Sequence, residues 1–172
     1  MSKNLNKIGR LLIEKKLSIA FAESATGGRL STDFAMIENA GTFLKGGIVC
    51  YDASVKEDLL KVDHELIETF TPESFEVTRA ITKGASQMIP ADIHIGVTGL
   101  TCPGGSETKE KPVGTMFLYG QRGSTTIFSE RFRFTGSKKQ IVESTVDACG
   151  KLLLSYLQKL DKMSSRNHSN IK

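Results

Sequence analysis

Apolar residues in the first segment recur at three- and four-residue spacing, Leu5, Ile8, Leu11 and Leu12, ahead of Lys15-Lys16. This is the stripe of an amphipathic helix. The period then changes. Ser18-Ile19-Ala20-Phe21-Ala22 is a short β-type run, and Arg29-Leu30-Ser31-Thr32-Asp33-Phe34-Ala35 returns to helical spacing. Glu38 to Thr42 reads as a loop, and Lys45-Gly46-Gly47-Ile48-Val49-Cys50-Tyr51 as a second strand whose glycine pair marks a bulge or a close backbone approach. Short helices are expected over residues 54–61 and 64–70.

Thr71-Pro72-Glu73-Ser74 carries a helix-start signature, with Thr71 at the N-cap, Pro72 at the first helical position and Ser74 three residues past the cap. The helix continues through Val77, Ile81, Ala85 and Met88 to a stop at Pro90. Ile93 to Thr98 is a nearly all-apolar strand, so it reads as central and buried. The glycine- and charge-rich loop Gly99 to Pro112 follows, long enough for a binding role. Strands over Gly114 to Gln121 and Thr125 to Phe134 flank the hairpin signal Arg122-Gly123-Ser124. A last helix spans Ser137 to about Leu160, and Lys162 to Lys172 reads as a polar, disordered tail. This order predicts an α/β fold, with helices on both faces of a mixed, mostly parallel sheet of about five strands. Ligands in such folds sit beyond the carboxyl ends of parallel strands.

Composition narrows the class. The 172 residues suffice for one domain with its own core, and no apolar run approaches the ~20 residues of a membrane span. The N-terminus leads into an amphipathic helix instead of a signal-peptide core, which places the chain in the cytoplasm. Cys50, Cys102 and Cys149 are odd in number and widely spaced, against a disulfide framework or a zinc site, and two of them are expected in the core. The net charge of +4 is spread along the chain with no Trp and no aromatic-rich basic stripe, so neither nucleic acid nor membrane is an expected partner.

The chemistry gathers at strand ends. Glu23-Ser24-Ala25-Thr26-Gly27-Gly28 puts a serine where a strand meets a helix, beside N–H groups that lack intrahelical partners and can hold negative charge. Ser24 or Thr26 would equally serve as a plain helix cap. Tyr51 ends the second strand, and Lys56 follows in the first turn of the next helix. Turned into the crevice, Lys56 would be desolvated, its pKa lowered, and fit to act as a general base; turned outward, it is a solvated surface lysine. The histidines make poorer bases. His64 sits in an acidic helical stretch, His94 alternates with Ile93 and Ile95, and His168 lies in the tail. Cys102 has no histidine in a recognisable relation to it, so it ranks below Ser24. Gly104-Gly105 offers backbone N–H groups to an anion, or is an ordinary turn.

Four segments together, Ala22-Glu23-Ser24-Ala25-Thr26-Gly27-Gly28, Tyr51 with Lys56, Val97-Thr98-Gly99 before Pro103-Gly104-Gly105, and Lys111-Pro112-Val113-Gly114-Thr115, resemble the C-terminal domain of the competence/damage-inducible protein CinA. The resemblance covers about residues 5–160. It implies a three-layer α/β/α fold and a nicotinamide mononucleotide amidohydrolase, releasing nicotinate mononucleotide and ammonia without metal or organic cofactor. It also makes a homodimer plausible. By the same resemblance Ser24 is the nucleophile, Lys56 its base and Tyr51 a hydrogen-bonding partner that orients the pair. Glu23, Thr26, Gly27, Gly28, Thr98 and Gly99 would line the substrate site. The N–H groups of Thr26 to Gly28 are oxyanion-hole candidates by the helix-terminus argument.

The chain departs from the family's pattern at named places. Ala25 stands where Cys is usual, Thr101-Cys102 where Ala-Gly is usual, and the loop from Pro103 to Lys111 differs in length. Gly136-Ser137-Lys138 replaces a Gly-Asp-Arg whose arginine is expected on the nucleotide phosphate. Lys138 keeps the charge without the planar fork, and Lys139 is its candidate helper. Two alternatives follow: a serine-lysine amidase with another substrate, and a catalytically silent nucleotide- or partner-binding module. The family also includes longer proteins with an additional N-terminal domain, for which this length leaves no room.

Overall fold

A computed structural model describes residues 3–169, with side chains for residues 4–160. The elements run α1 (Lys3–Glu14), β1 (Ile19–Glu23), α2 (Arg29–Ala35), a 3₁₀ turn (Ala40–Thr42), β2 (Leu44–Val49), α3 (Ala53–Asp58), α4 (His64–Phe70), α5 (Phe75–Met88), β3 (Ile93–Gly99), β4 (Thr115–Arg122), β5 (Thr125–Arg133) and α6 (Lys138–Ser169). The five strands form one sheet in the order β2-β1-β3-β4-β5. β1 pairs in parallel with both β2 and β3, while β3–β4 and β4–β5 are antiparallel. The carboxyl ends of β2, β1 and β3 therefore share one edge of the sheet.

Strand side chains alternate between faces, and the two faces are filled differently. On one, Ile19, Phe21, Ile93, Ile95 and Val97 pack with Leu12, Leu30, Phe34 and Leu153 of α1, α2 and α6. Phe21 and Phe34 meet edge to face at 4.8 Å. On the other, Ala22 and Cys50 meet Val77, Ile81 and Ala85 of α5 and Ile67 of α4. Small residues bring α5 against the sheet: a Cβ on Gly96 would lie 2.0 Å from the Thr82 hydroxyl. Buried apolar area of this kind stabilises at about 25 cal/mol per Å². The result is three layers, helix on sheet on helix. Among the described residues, no helix is long and apolar enough to cross a membrane.

Several boundaries differ from the sequence expectation. The helix expected to start at Thr71 starts at Phe75, because the Ser74 hydroxyl accepts from the Val77 N–H and is the true cap. Thr71 instead closes α4, at φ 71°. β2 ends at Val49, two residues early, and carries its irregularity where Ile19 pairs Leu44 but Ala20 pairs Gly46. Gly47 is the close approach, since a Cβ there would strike the Ser31 hydroxyl at 2.1 Å. α6 runs to Ser169 instead of about Leu160, and Asp161–Ser169 contains neither the Pro nor the Gly that would break it. Positions 170–172 of the expected tail lie outside the described residues. Ser137 and Gln140 cap α6 reciprocally, each side chain accepting from the other's N–H.

Candidate active site

The shared strand edge carries the chemistry. Ser24 follows β1 directly, and its N–H donates to the Val97 carbonyl at 3.0 Å, fixing it against β3. The chain then turns through Gly27 and Gly28 at φ 59° and 93°, angles that a Cβ would strain. Ser24 is 7% exposed and, among the described residues, its hydroxyl makes no hydrogen bond. It lines a hollow of about 200 Å³ together with Ala25, Tyr51, Glu73 and the loop from Gly99 to Gly105. A hollow of similar size between α1, α2 and α6 is lined by Arg29, Asp33, Glu143 and Asp147 and holds no nucleophile.

Glu23 and Thr26 turn away from this hollow. The buried Glu23 carboxylate accepts from the Thr26 hydroxyl (2.7 Å), the Leu30 N–H (2.9 Å), and the Ser31 N–H and hydroxyl (2.7 Å each). It caps α2 from the preceding strand, so neither Ser24 nor Thr26 is the cap. Both side chains expected on the substrate are thus committed to holding the turn. The Gly27 N–H is also spent, on the Ser24 carbonyl at 3.0 Å. The N–H groups of Thr26 and Gly28, with that of Ala25, donate to nothing else among the described residues.

Lys56 points inward. Asp52 caps α3 by accepting from the Ser54 N–H, which places Lys56 one turn on and 1% exposed. Its amine donates to the carbonyls of Tyr51 at 3.1 Å and Asp52 at 3.4 Å. Burial pushes its pKa down, against the opposing pull of Cys50, Glu73 and Asp52. No hydrogen bond joins Lys56 to Ser24 among the described residues. Tyr51 meets Lys56 through its carbonyl and not its phenol. The half-exposed phenol instead accepts from Lys138 at 3.4 Å, with the Lys138 ammonium 5.7 Å from the ring centre. Lys138 therefore stands at the rim of the hollow. Lys139 leans along α6 toward Glu143 at 3.9 Å and is not brought to it.

Thr98 is displaced from its expected role. Its hydroxyl lies under the site, sharing a hydrogen bond of 2.7 Å with Thr78 of α5, and it does not line the hollow. Gly99 does line it, at φ 153°, and a Cβ there would strike the Thr115 carbonyl at 2.6 Å. Of the cysteines, Cys50 and Cys149 are buried and Cys102 is exposed in the hollow's wall. Burial raises the Cys50 thiol to about 11, so it is inert near neutral pH. His64 sits on the surface against Glu57, and His94 is held by the Ile89 carbonyl.

Lys111, which enters the sequence reading only as the first residue of a family-like segment, holds a clasp that the sequence does not reveal. The Lys111 amine donates to the Thr71 hydroxyl, to the Glu73 carbonyl at 3.0 Å and to Ser106 Oγ at 2.7 Å. Ser106 in turn donates to Glu73 at 2.5 Å. This clasp pins the glycine-rich loop to the segment before α5 and so shapes the hollow's far wall. Its signal was a lysine directly before Pro112, where a chain re-enters the sheet.

The sequence profile of the CinA C-terminal domain matches residues 2–157. The chain belongs to this family. A competence-damage inducible protein of Desulforamulus reducens is 34% identical over 151 residues, covering 88% of this chain and 36% of the relative. A CinA-like protein of Chlorobium limicola is 32% identical over 157 residues, covering 89% of this chain and 36% of the relative. This CinA-family chain thus spans about a third of the length of the curated relatives it matches. Among solved structures, a CinA superfamily protein of Klebsiella pneumoniae superposes with a TM-score of 0.86 at 25% identity, over 91% of this chain and 97% of that one. One from Enterobacter cloacae gives 0.83 at 30% identity, over 89% and 90%.

Proposed function

We propose that this CinA-family domain is an amidase that hydrolyses nicotinamide mononucleotide to nicotinate mononucleotide and ammonia, with Ser24 as nucleophile and Lys56 as its base. The observation that carries the reading is the setting of the Lys56 amine. A neutral amine has two hydrogens and one lone pair. Two carbonyls, of Tyr51 and Asp52, accept those two hydrogens, so the lone pair is left to receive a proton. Burial favours the neutral form that this requires. The uncommitted Ser24 hydroxyl supports the same reading, since serine–base contacts often tighten only when substrate is bound.

In this mechanism Lys56 takes the Ser24 proton as Oγ attacks the carboxamide carbon. The oxyanion that develops falls to the free N–H groups of Ala25, Thr26 and Gly28. Lys56 returns its proton to the nitrogen as the C–N bond breaks, and ammonia leaves. Water then gives a proton to Lys56 and attacks the ester carbon, and Ser24 leaves as the hydroxyl by taking that proton back. Lys138, held on Tyr51 at the rim, is the cation for the substrate phosphate. The fold, the cytoplasmic setting and a homodimer expected from the family are compatible with this chemistry.

The test is ammonia and nicotinate mononucleotide formation by the purified protein, without added metal. Activity in the wild type that vanishes in Ser24→Ala supports the reading. No product from the wild type overturns the substrate, and undiminished turnover by Ser24→Ala overturns the nucleophile. Lys138→Ala should raise KM about tenfold with kcat little changed; an unchanged KM would mean that the phosphate is held elsewhere.

A further inference from the structure

The glycine-rich loop already holds an anion of its own. The Gly104 N–H donates to Glu107 Oε1 and the Gly105 N–H to Glu107 Oε2, each at 2.8 Å. Two consecutive amides thus grip the two oxygens of one carboxylate, the arrangement of an anion-binding nest. Gly104 reaches it at φ 96°, and both glycines line the hollow that Ser24 faces. A second, separate observation points to a ligand in this hollow: Ser24, which lines it, is more than nine-tenths buried, and among the described residues its hydroxyl has no partner.

We propose that the Gly104–Gly105 nest is an anion subsite of the pocket and that Glu107 is a resident competitor, displaced when a ligand oxyanion, phosphate or carboxylate, takes its place. Glu107 is suited to leaving. It is exposed, so its carboxylate returns to water at little desolvation cost, in contrast to a buried one. Among the described residues its carboxylate is held by the two nest amides and by its own backbone N–H, with no other side chain on it. Glu107 stands outside the hollow's lining; the carboxylate residue that does line it, Glu73, is engaged by the Ser106 hydroxyl, and Lys111 bonds both Ser106 and the Glu73 carbonyl. The clasp fixes the loop, so the nest survives the departure of Glu107.

The inference rests on this hollow being the substrate site, and its test does not use turnover. The backbone amide signals of Gly104 and Gly105 are followed by NMR while inorganic phosphate, and separately acetate, is added at constant ionic strength to the wild type, Glu107→Ala and Glu107→Gln. The expected result is a saturable shift at both amides, at least tenfold tighter in Glu107→Ala than in the wild type and intermediate in Glu107→Gln. Saturation by phosphate alone assigns the nest to the phosphate of a ligand, and saturation by both anions to any oxyanion. No saturable shift, or equal affinity in the three proteins, overturns the inference. Saturation at the nest in a protein that does not deamidate nicotinamide mononucleotide would leave the subsite standing and remove the reaction. Deamidation by a protein whose nest does not respond would do the reverse.

Discussion

Two glycine-pair turns adjoin the Ser24 hollow, one following Ser24 in the chain and one in the hollow's wall, and a glutamate braces the segment around each. Beside Gly27-Gly28 the carboxylate is Glu23, fully buried and accepting four hydrogen bonds, three of them from the first turn of α2. At Gly104-Gly105 it is Glu107, exposed and accepting two from the glycine amides. Backbone N–H groups donate to both, with two hydroxyls added at Glu23; the burial differs sharply. A buried carboxylate cannot leave its donors without stranding them away from water, whereas an exposed one exchanges them for solvent. The same pairing is therefore a fixed part at one turn and a replaceable one at the other. The fixed turn presents Ser24, which on the proposed mechanism must not move relative to Lys56. The replaceable turn lies where substrate would enter.

Substitutions at the two turns should separate sharply. Glu23→Ala is the largest expected effect: it leaves a buried and a part-buried N–H group and two hydroxyls without their acceptor. The cost is about 3 kcal/mol, or a fall in Tm of roughly 6–12 °C for a chain of this size. Denaturant unfolding checks it, and a loss below ~1 kcal/mol would erase the distinction. Gly28→Ala comes next, because the φ of 93° is strained for alanine and its Cβ would lie 3.2 Å from Val49. About 1–2 kcal/mol is expected. Gly104→Ala meets the same kind of φ with nothing within 4 Å of the Cβ, so about 1 kcal/mol is expected from the backbone alone. Glu107→Ala should change stability by no more than ~0.5 kcal/mol, as an exposed substitution does. If Glu107→Ala destabilises as much as Glu23→Ala, Glu107 is structural and not a gate.

The proposed base, Lys56, gives a pH signature that sharpens the contrast further. Burial lowers the Lys56 pKa, so folding with the amine charged is disfavoured, and that penalty is relieved as pH rises through the window between the folded value and the ordinary lysine value. Lys56→Met should therefore abolish turnover and flatten the rise of stability with pH over that window. In the wild type, kcat should climb with pH as Lys56 loses its proton. A rate independent of pH over this range, or a Lys56→Met variant whose stability profile matches the wild type, would show that this amine is not the base.

Much of the architecture was legible because it rests on period. The short β-type run Ile19 to Ala22 and the apolar run Ile93 to Thr98 identify strands, and their parallel ends predict where the site lies. What was not legible depends on contacts between distant segments. Glu23 looks like a site residue because it precedes Ser24, yet it caps a helix seven and eight residues on, from a strand position instead of the usual N-cap. Its signal was a charged residue closing a strand that is buried throughout. Thr98 looks like a pocket hydroxyl, but period two turns it toward α5 and Thr78. Tyr51 is expected as a hydrogen-bonding partner of the pair, and its carbonyl, not its side chain, meets Lys56, a distinction that sequence cannot make. Thr71 and Ser74 both suit an N-cap, and only the accepted Val77 N–H decides between them.

The central claim is that Ser24 becomes acylated. Mass spectrometry of the protein quenched in acid during turnover of nicotinamide mononucleotide tests it most directly. The account predicts an adduct with the mass of the substrate less ammonia on the peptide that contains Ser24, absent from Ser24→Ala. The same adduct on Cys102, the other nucleophile in the wall of the hollow, or deamidation continuing at full rate in Ser24→Ala, would contradict it.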